Sequence, residues 1–194
     1  MYIREFSNAI ETDVCREIIQ ARDSFDDIVY WIGEPENSEW KYIISLVEKK
    51  VNECIDEYFD SFKNELSHKD LELLGFGLIR QPKGVFDPPH FDTPFAVHDN
   101  RPYIRPFVCL VYLDGENIEG GELIFLAQKK IIVPQTGKVL IFPCSYMFPH
   151  QVSYITEGER QFIRLNYCFK DNSMIDQDLN SWNVLTDGIQ KYDK

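Results

Sequence analysis

The chain has 194 residues, 44% hydrophobic and 14% aromatic, which is ample for the core of one domain and too apolar for a disordered segment. Its formal net charge of −12 is spread along the chain rather than packed into a tail. That excludes a general nucleic-acid or anionic-membrane surface, because both need clustered Lys and Arg. No apolar run approaches the roughly eighteen residues of a membrane helix. The start, Met1-Tyr2-Ile3-Arg4-Glu5-Phe6, lacks the apolar stretch of a signal peptide. The five cysteines, Cys15, Cys54, Cys109, Cys144 and Cys168, are scattered, odd in number and without a CxxC pair. They read as reduced thiols of a cytoplasmic protein, with Cys109 and Cys144 as small core residues.

In chain order, residues 1 to about 70 form a helical support region. Tyr2 to Phe6 alternates in part and predicts a short strand. Glu11-Thr12-Asp13 supplies a helix start, followed by the stripe Val14, Ile18 and Ile19. Ser24 to Asn37 reads as a loop broken by Gly33 and Pro35 and anchored by Trp31. A longer helix is expected from Ser38 to about Leu66, where Ile43, Leu46, Val47, Val51, Ile55, Phe59 and Phe62 recur at steps of three and four. Scaffold packing accounts for every residue of this half.

From Leu71 to about residue 170 the pattern becomes one of short strands separated by turns. Leu74 to Arg80 precedes a Pro-Lys-Gly turn. Thr93 to Ile104 reads as an irregular loop. Further strands are expected at Arg105–Leu113, Gly121–Phe125, Lys130–Val133, Lys138–Phe142, Val152–Ile155 and Arg160–Phe169. About eight strands without intervening helices describe a sandwich or jelly roll. The tail, residues 171–194, is polar, with Trp182 and Leu185 as its docking residues.

Chemistry concentrates at His90-Phe91-Asp92. Two residues apart on an extended chain, His90 and Asp92 point to the same side. On its own such a triplet is equally a surface strand. The chain has four histidines, and His150, at the end of another strand-like segment, is the candidate partner. Two imidazoles and one carboxylate on one face of an octahedral iron(II) leave three positions open. His68, in a polar Ser-His-Lys-Asp turn, reads as solvated. His98 reads as an exposed loop histidine or a substrate contact, and Asp87 as a turn residue beside two prolines.

After His150 come a strand, a glycine turn and Arg160, which opens the last strand. In this order of motifs, from about Leu74 to Phe169, the sequence resembles the Fe(II)- and 2-oxoglutarate-dependent dioxygenases, and among them the prolyl 4-hydroxylase-like branch. The resemblance implies an α+β, mainly β, fold: a double-stranded β-helix (jelly-roll, cupin-like) core with the N-terminal helices packed on one sheet, all in a single domain, 1–194. It implies that His90, Asp92 and His150 are the catalytic metal ligands. Arg160 would bind the distal C5 carboxylate of 2-oxoglutarate. Tyr112 would line the cosubstrate pocket, and Leu123, after the Gly120-Gly121 turn, would form its wall. Arg105 falls where related enzymes carry an arginine at the substrate entrance. The cofactors implied are Fe(II), 2-oxoglutarate as cosubstrate, and dioxygen, with ascorbate supporting activity.

The departures fall near the site. The branch's tyrosine before the HxD motif is replaced at about Arg80 and Gln81, and its tryptophan after the basic residue by Asn166, so Gln81 and Asn166 make the cosubstrate pocket more polar. Arg164, four residues after Arg160, faces the same side of a regular strand. It reads as a partner for the C1 carboxylate of 2-oxoglutarate, for a substrate anion, or for a neighbouring acid. The expected activity is hydroxylation of a C–H bond with decarboxylation of 2-oxoglutarate to succinate, first of all on a proline in a peptide or protein. Oxygenation of a free amino acid or other small molecule, and a non-catalytic jelly-roll binding module, are the alternatives. Oligomeric state is left open.

Overall fold

A computed structural model describes residues 2–22, 28–32, 38–63, 65–98 and 101–170. Trp182 and Leu185, expected to dock the tail, lie outside the described residues. In chain order the elements are β1 (Arg4–Phe6), α1 (Thr12–Arg22), β2 (Ile28–Ile32), α2 (Ser38–Asp60), a 3-10 turn (His68–Asp70), β3 (Leu71–Pro82), β4 (Asp87–His90), β5 (Phe95–His98), β6 (Arg101–Ile104), β7 (Phe107–Tyr112), β8 (Leu123–Phe125), β9 (Lys130–Ile132), β10 (Val139–Pro143), β11 (His150–Val152) and β12 (Glu159–Phe169).

Two antiparallel sheets make the jelly roll, in the orders β1-β10-β7-β12-β3-β2 and β4-β11-β8-β9. The larger sheet has two working faces, because side chains alternate along each strand. Phe107, Cys109 and Val111 of β7, Val139 and Ile141 of β10, and Ile163 and Leu165 of β12 pack with Ile43, Val47, Val51 and Ile55 of α2. Their neighbours of opposite parity, Val108, Leu110, Tyr112, Leu140, Phe142 and Phe162, face inward with Leu123 and Phe125 of the smaller sheet. Each fully buried Val, Leu or Ile on either face contributes about 1.5–3 kcal/mol of transfer free energy. Lys138, itself buried, donates to Glu5 Oε2 at 2.9 Å and to Val133 O at 2.9 Å, which locks β1 onto the sheet beside β10.

Four local expectations are corrected by tertiary pairing. Within the stretch read as a loop, Ile28–Ile32 forms β2, because β3 offers an open edge that pairs Val29 with Leu78 and Trp31 with Phe76. Within Thr93–Ile104, β5 and β6 form a hairpin joining Phe95 to Ile104, closed by Arg105 N donating to Pro94 O at 2.7 Å. Helix α2 stops at Asp60 rather than Leu66. Phe62 and Lys63 donate to Phe59 and Asp60, three-residue steps that tighten the end, and Lys63 takes a φ of +54°. His68 is not simply solvated: its Nδ1 lies 2.7 Å from Asp56 Oδ2 and its backbone N–H donates to Asp56 Oδ1, tying the 3-10 turn to α2.

Candidate metal centre

Strand β4 is the edge of the smaller sheet, where two consecutive prolines are tolerated because only one of their missing N–H groups would have met the ladder and the register shifts beside them. It ends at His90. Strand β11 starts at His150 itself, upstream of the expected Val152–Ile155, and the ladder makes His90 and His150 Cα partners. Their rings lie 4.4 Å apart, edge to face. Each ring is tethered in the same way: His90 Nδ1 is 2.8 Å from Pro88 O, and His150 Nδ1 is 2.9 Å from Phe148 O. A carbonyl only accepts, so each Nδ1 carries the proton and each Nε2 presents its lone pair.

Asp92 completes the group. One ligand atom from each of His90, Asp92 and His150 can be chosen so that all lie within 4.8 Å of one another. Asp92 Oδ2 faces His150 Nε2 at 3.4 Å, a pair bridged by a proton on Nε2 or by a metal ion in its place. Asp92 Oδ1, the other oxygen, is held by Nη2 of Arg164. Burial pushes this carboxyl up, but the His150 contact and the charges of Arg164 and Arg105 outweigh it and bring its pKa to about 2. It is an anion at any physiological pH. Two neutral imidazoles and a carboxylate are the donor set that suits mononuclear iron(II).

A cavity of about 430 Å³ runs inward from these three residues between Ile79, Leu123, Phe142 and Val152. Arg160 and Gln81 lie on its lining. They are Cα partners across β12 and β3, and Arg160 Nη1 donates to Gln81 Oε1 at 2.8 Å. Arg80, the other residue at this departure from the branch, is bonded through its Nε to Glu159 Oε2 at 2.6 Å. The Arg160 guanidinium sits 4.2 Å from the Phe162 ring and 5.4 Å from that of Tyr112, whose hydroxyl accepts from Nη2 at 3.4 Å. Arg160 is only 2% exposed, its Nε has no partner, and among the described residues no carboxylate pairs with it. A buried guanidinium without an anion is costly. The terminal carboxylate of a dicarboxylic acid lying in the cavity would satisfy it in bidentate fashion.

Other candidates fall elsewhere. Asn166 is not on the cavity wall; its Oδ1 accepts from Arg105 Nη1 at 3.1 Å. Arg105 Nη2 also donates to Thr93 O at 2.6 Å, so Arg105 braces the backbone just beyond Asp92. His98 belongs to β5, as the Cα partner of Arg101. Arg164 lies on the wall beside Asp92. Asp87, read as a turn residue, also lines the cavity and accepts from Gln81 Nε2 at 3.1 Å. Three residues before His90, it would face away on a regular strand; the register shift between β4 and β11 brings it to the cavity, and no local pattern signals that. Among the described residues no helix is long and apolar enough to cross a membrane, and the five cysteines are free and buried.

Two histidines and a carboxylate at one open cavity of a jelly roll are a donor set that could hold a mononuclear non-haem metal ion. The model of the 2OG-Fe(II) oxygenase superfamily matches residues 76–168, a span from β3 through β12 that contains all three donors and Arg160. Over that stretch, just under half of its length, the chain is similar to that superfamily. No curated protein is matched by sequence. Among solved structures, the fold is similar to that of the viral collagen prolyl hydroxylase of Paramecium Bursaria Chlorella virus-1 in its 2OG complex, with a TM-score of 0.64, 17% identity, and 88% of this chain and 97% of that one covered. A Pseudomonas putida prolyl-4-hydroxylase gives a TM-score of 0.60 at 16% identity, covering 88% and 94%. HygX from Streptomyces hygroscopicus, with nickel and 2-oxoglutarate bound, gives 0.57 at 13% identity, covering 88% and 83%.

Proposed function

We propose that this chain is an iron(II)- and 2-oxoglutarate-dependent hydroxylase whose substrate is a prolyl residue of a peptide or protein. One observation carries the oxygenase reading: a single cavity joins a three-donor metal group to a buried arginine that lacks an anion. The fold likeness to the viral collagen prolyl hydroxylase and the Pseudomonas putida prolyl-4-hydroxylase supports the prolyl substrate.

The Nε2 atoms of His90 and His150 and the carboxylate of Asp92 would hold the metal. The Pro88 and Phe148 carbonyls fix both ring orientations before any ion arrives. Arg160 would take the far carboxylate of 2-oxoglutarate, with Gln81 and Tyr112 holding the guanidinium in place. Bound iron(II) and 2-oxoglutarate supply dioxygen activation, one oxygen atom going to the substrate C–H bond and the other to succinate as carbon dioxide leaves. The protein's part is to bind, orient and exclude water. Ile79, Leu123, Phe142 and Val152 give the cosubstrate a dry channel, where its charged end interacts more strongly with Arg160 than it would in water. Phe91, Tyr146 and Met147 stay exposed on the segments around His90 and His150, where they would offer apolar contacts to a substrate.

The test is direct. Purified protein with iron(II), ascorbate and 2-oxoglutarate should form succinate slowly without substrate and faster with a proline-containing peptide that gains one oxygen by mass spectrometry. Absence of both 2-oxoglutarate binding and succinate formation refutes the oxygenase. Succinate formation that no prolyl peptide stimulates removes the prolyl assignment alone.

A further inference from the structure

Arg164 holds more positive charge against the metal group than the proposed cofactors require. Its Nη2 contacts Asp92 Oδ1, the oxygen not facing His150, so the guanidinium lies beside the ligand triangle rather than within it. The neighbouring strands place Gly77 and Leu110 opposite Arg164, so neither flanking position carries an acid. Its side chain is 27% exposed and on the cavity wall, while its Nε is buried and without a partner. Arg105 adds a second guanidinium within electrostatic reach of Asp92, and its Nε is likewise buried and unpartnered.

The ionisable groups on the cavity wall are Asp87, Asp92, Arg160 and Arg164, with the histidines neutral, and Arg105 stands just outside. A divalent metal and a dicarboxylate cosubstrate leave the wall itself neutral, and Arg105 then adds one positive charge in excess. The metal also draws on the Asp92 charge that now answers Arg164. The cosubstrate's far carboxylate has Arg160, and its near one would be neutralised by the metal itself. What remains to be matched is an anion arriving with the substrate.

We propose that Arg164, backed by Arg105, is a subsite for a substrate carboxylate. It selects substrates carrying a carboxylate close to the C–H bond to be oxidised, whether the acid of a free amino acid or an acidic side chain beside a proline in a peptide. This deepens the hydroxylase reading and rests on it.

Calorimetry on the whole chain loaded with Mn(II) and 2-oxoglutarate tests the subsite without turnover. Matched probes are L-proline against L-prolinamide, and a Pro-Glu peptide against its Pro-Gln counterpart, both with blocked termini. One acid should bind about tenfold or more tightly than its amide, as expected for a charge-assisted hydrogen bond in a shielded site. The pair that shows the preference identifies the source of the carboxylate. Arg164→Gln should bring the ratio to within about twofold, and Arg164→Lys should retain part of it. Arg105→Gln, off the cavity wall, supplies a second variant in which the ratio falls by a smaller factor. Equal binding of acid and amide, binding of neither, or an unchanged ratio in Arg164→Gln overturns the proposal. If that variant instead weakens only Mn(II) or only 2-oxoglutarate, Arg164 serves Asp92 or the cosubstrate and the subsite is refuted. The succinate assay of the wild type separately reports the hydroxylase reading: succinate formation with equal binding of acid and amide refutes the subsite alone, whereas no succinate formation refutes both.

Discussion

His90 and His150 are paired residues of one antiparallel ladder, sixty positions apart in sequence and 4.4 Å apart between ring centres. The metal group is therefore a product of strand register, since slipping β11 by one residue would turn His150 to the opposite face.

Removing His150 should disable the centre while sparing the fold. His150→Ala is expected to weaken metal binding by more than about 100-fold, beyond the 10–100-fold typical of losing an outer-sphere partner. Its ring packs against Phe125 and Phe142 at 5.4 and 5.1 Å, so a stability loss of about 2 kcal/mol accompanies the change. Mn(II) titration and urea denaturation measure the two effects independently.

Arg160→Ala should act on the cosubstrate. A charge-assisted contact of about 1.5–3 kcal/mol corresponds to a rise of roughly 10–100-fold in the apparent KM for 2-oxoglutarate. Initial rates of succinate formation at varied 2-oxoglutarate check this. An unchanged KM would show that the far carboxylate is bound elsewhere.

Metal-free protein should lose stability in acid partly through Asp92. Its folded-state pKa is depressed from 3.8 to about 2. Its contribution is therefore fully present above the unfolded value and lost as pH falls from about 4 toward about 2, amounting to roughly 2 kcal/mol. Denaturation of wild type and Asp92→Asn across this range should show the steeper decline in the wild type.

Gly120→Ala should destabilise the fold at a distance from the metal. Gly120 has a φ of +83°, and an added Cβ would sit 1.9 Å from the Tyr154 carbonyl oxygen. Left-handed strain alone costs about 1–3 kcal/mol, and the clash adds to it. Thermal unfolding should show a clear fall in Tm. A variant as stable as the wild type would mean that the turn into β8 can be rebuilt.

The residues that announce the centre in the sequence do so by short-range pattern. His90 and Asp92 share a face because strands alternate, and Arg160 stands on the strand that follows His150 through one turn. Features set by distant pairing were not legible. Ile28–Ile32 is flanked by breakers and becomes a strand only because β3 leaves an edge open beside it. Asn166 is assigned to the cosubstrate pocket because it stands where the resembled branch carries a tryptophan, yet it meets Arg105 from another segment. The contact of Arg164 with Asp92 spans 72 positions and depends on how the two sheets close, which no local pattern encodes.

Strand β12 assigns its two faces to different tasks, the scaffold behind Ile163 and Leu165 and the cavity beside Arg160 and Arg164. Selection can therefore change them separately. Substitutions at 163 and 165 should register as lost abundance with the activity per folded molecule kept. Those at 164 should leave abundance nearly unchanged and redirect what the cavity accepts, while those at 160 should weaken the hold on the cosubstrate. A lineage could move to a new substrate along this one strand without first accumulating stabilising changes elsewhere.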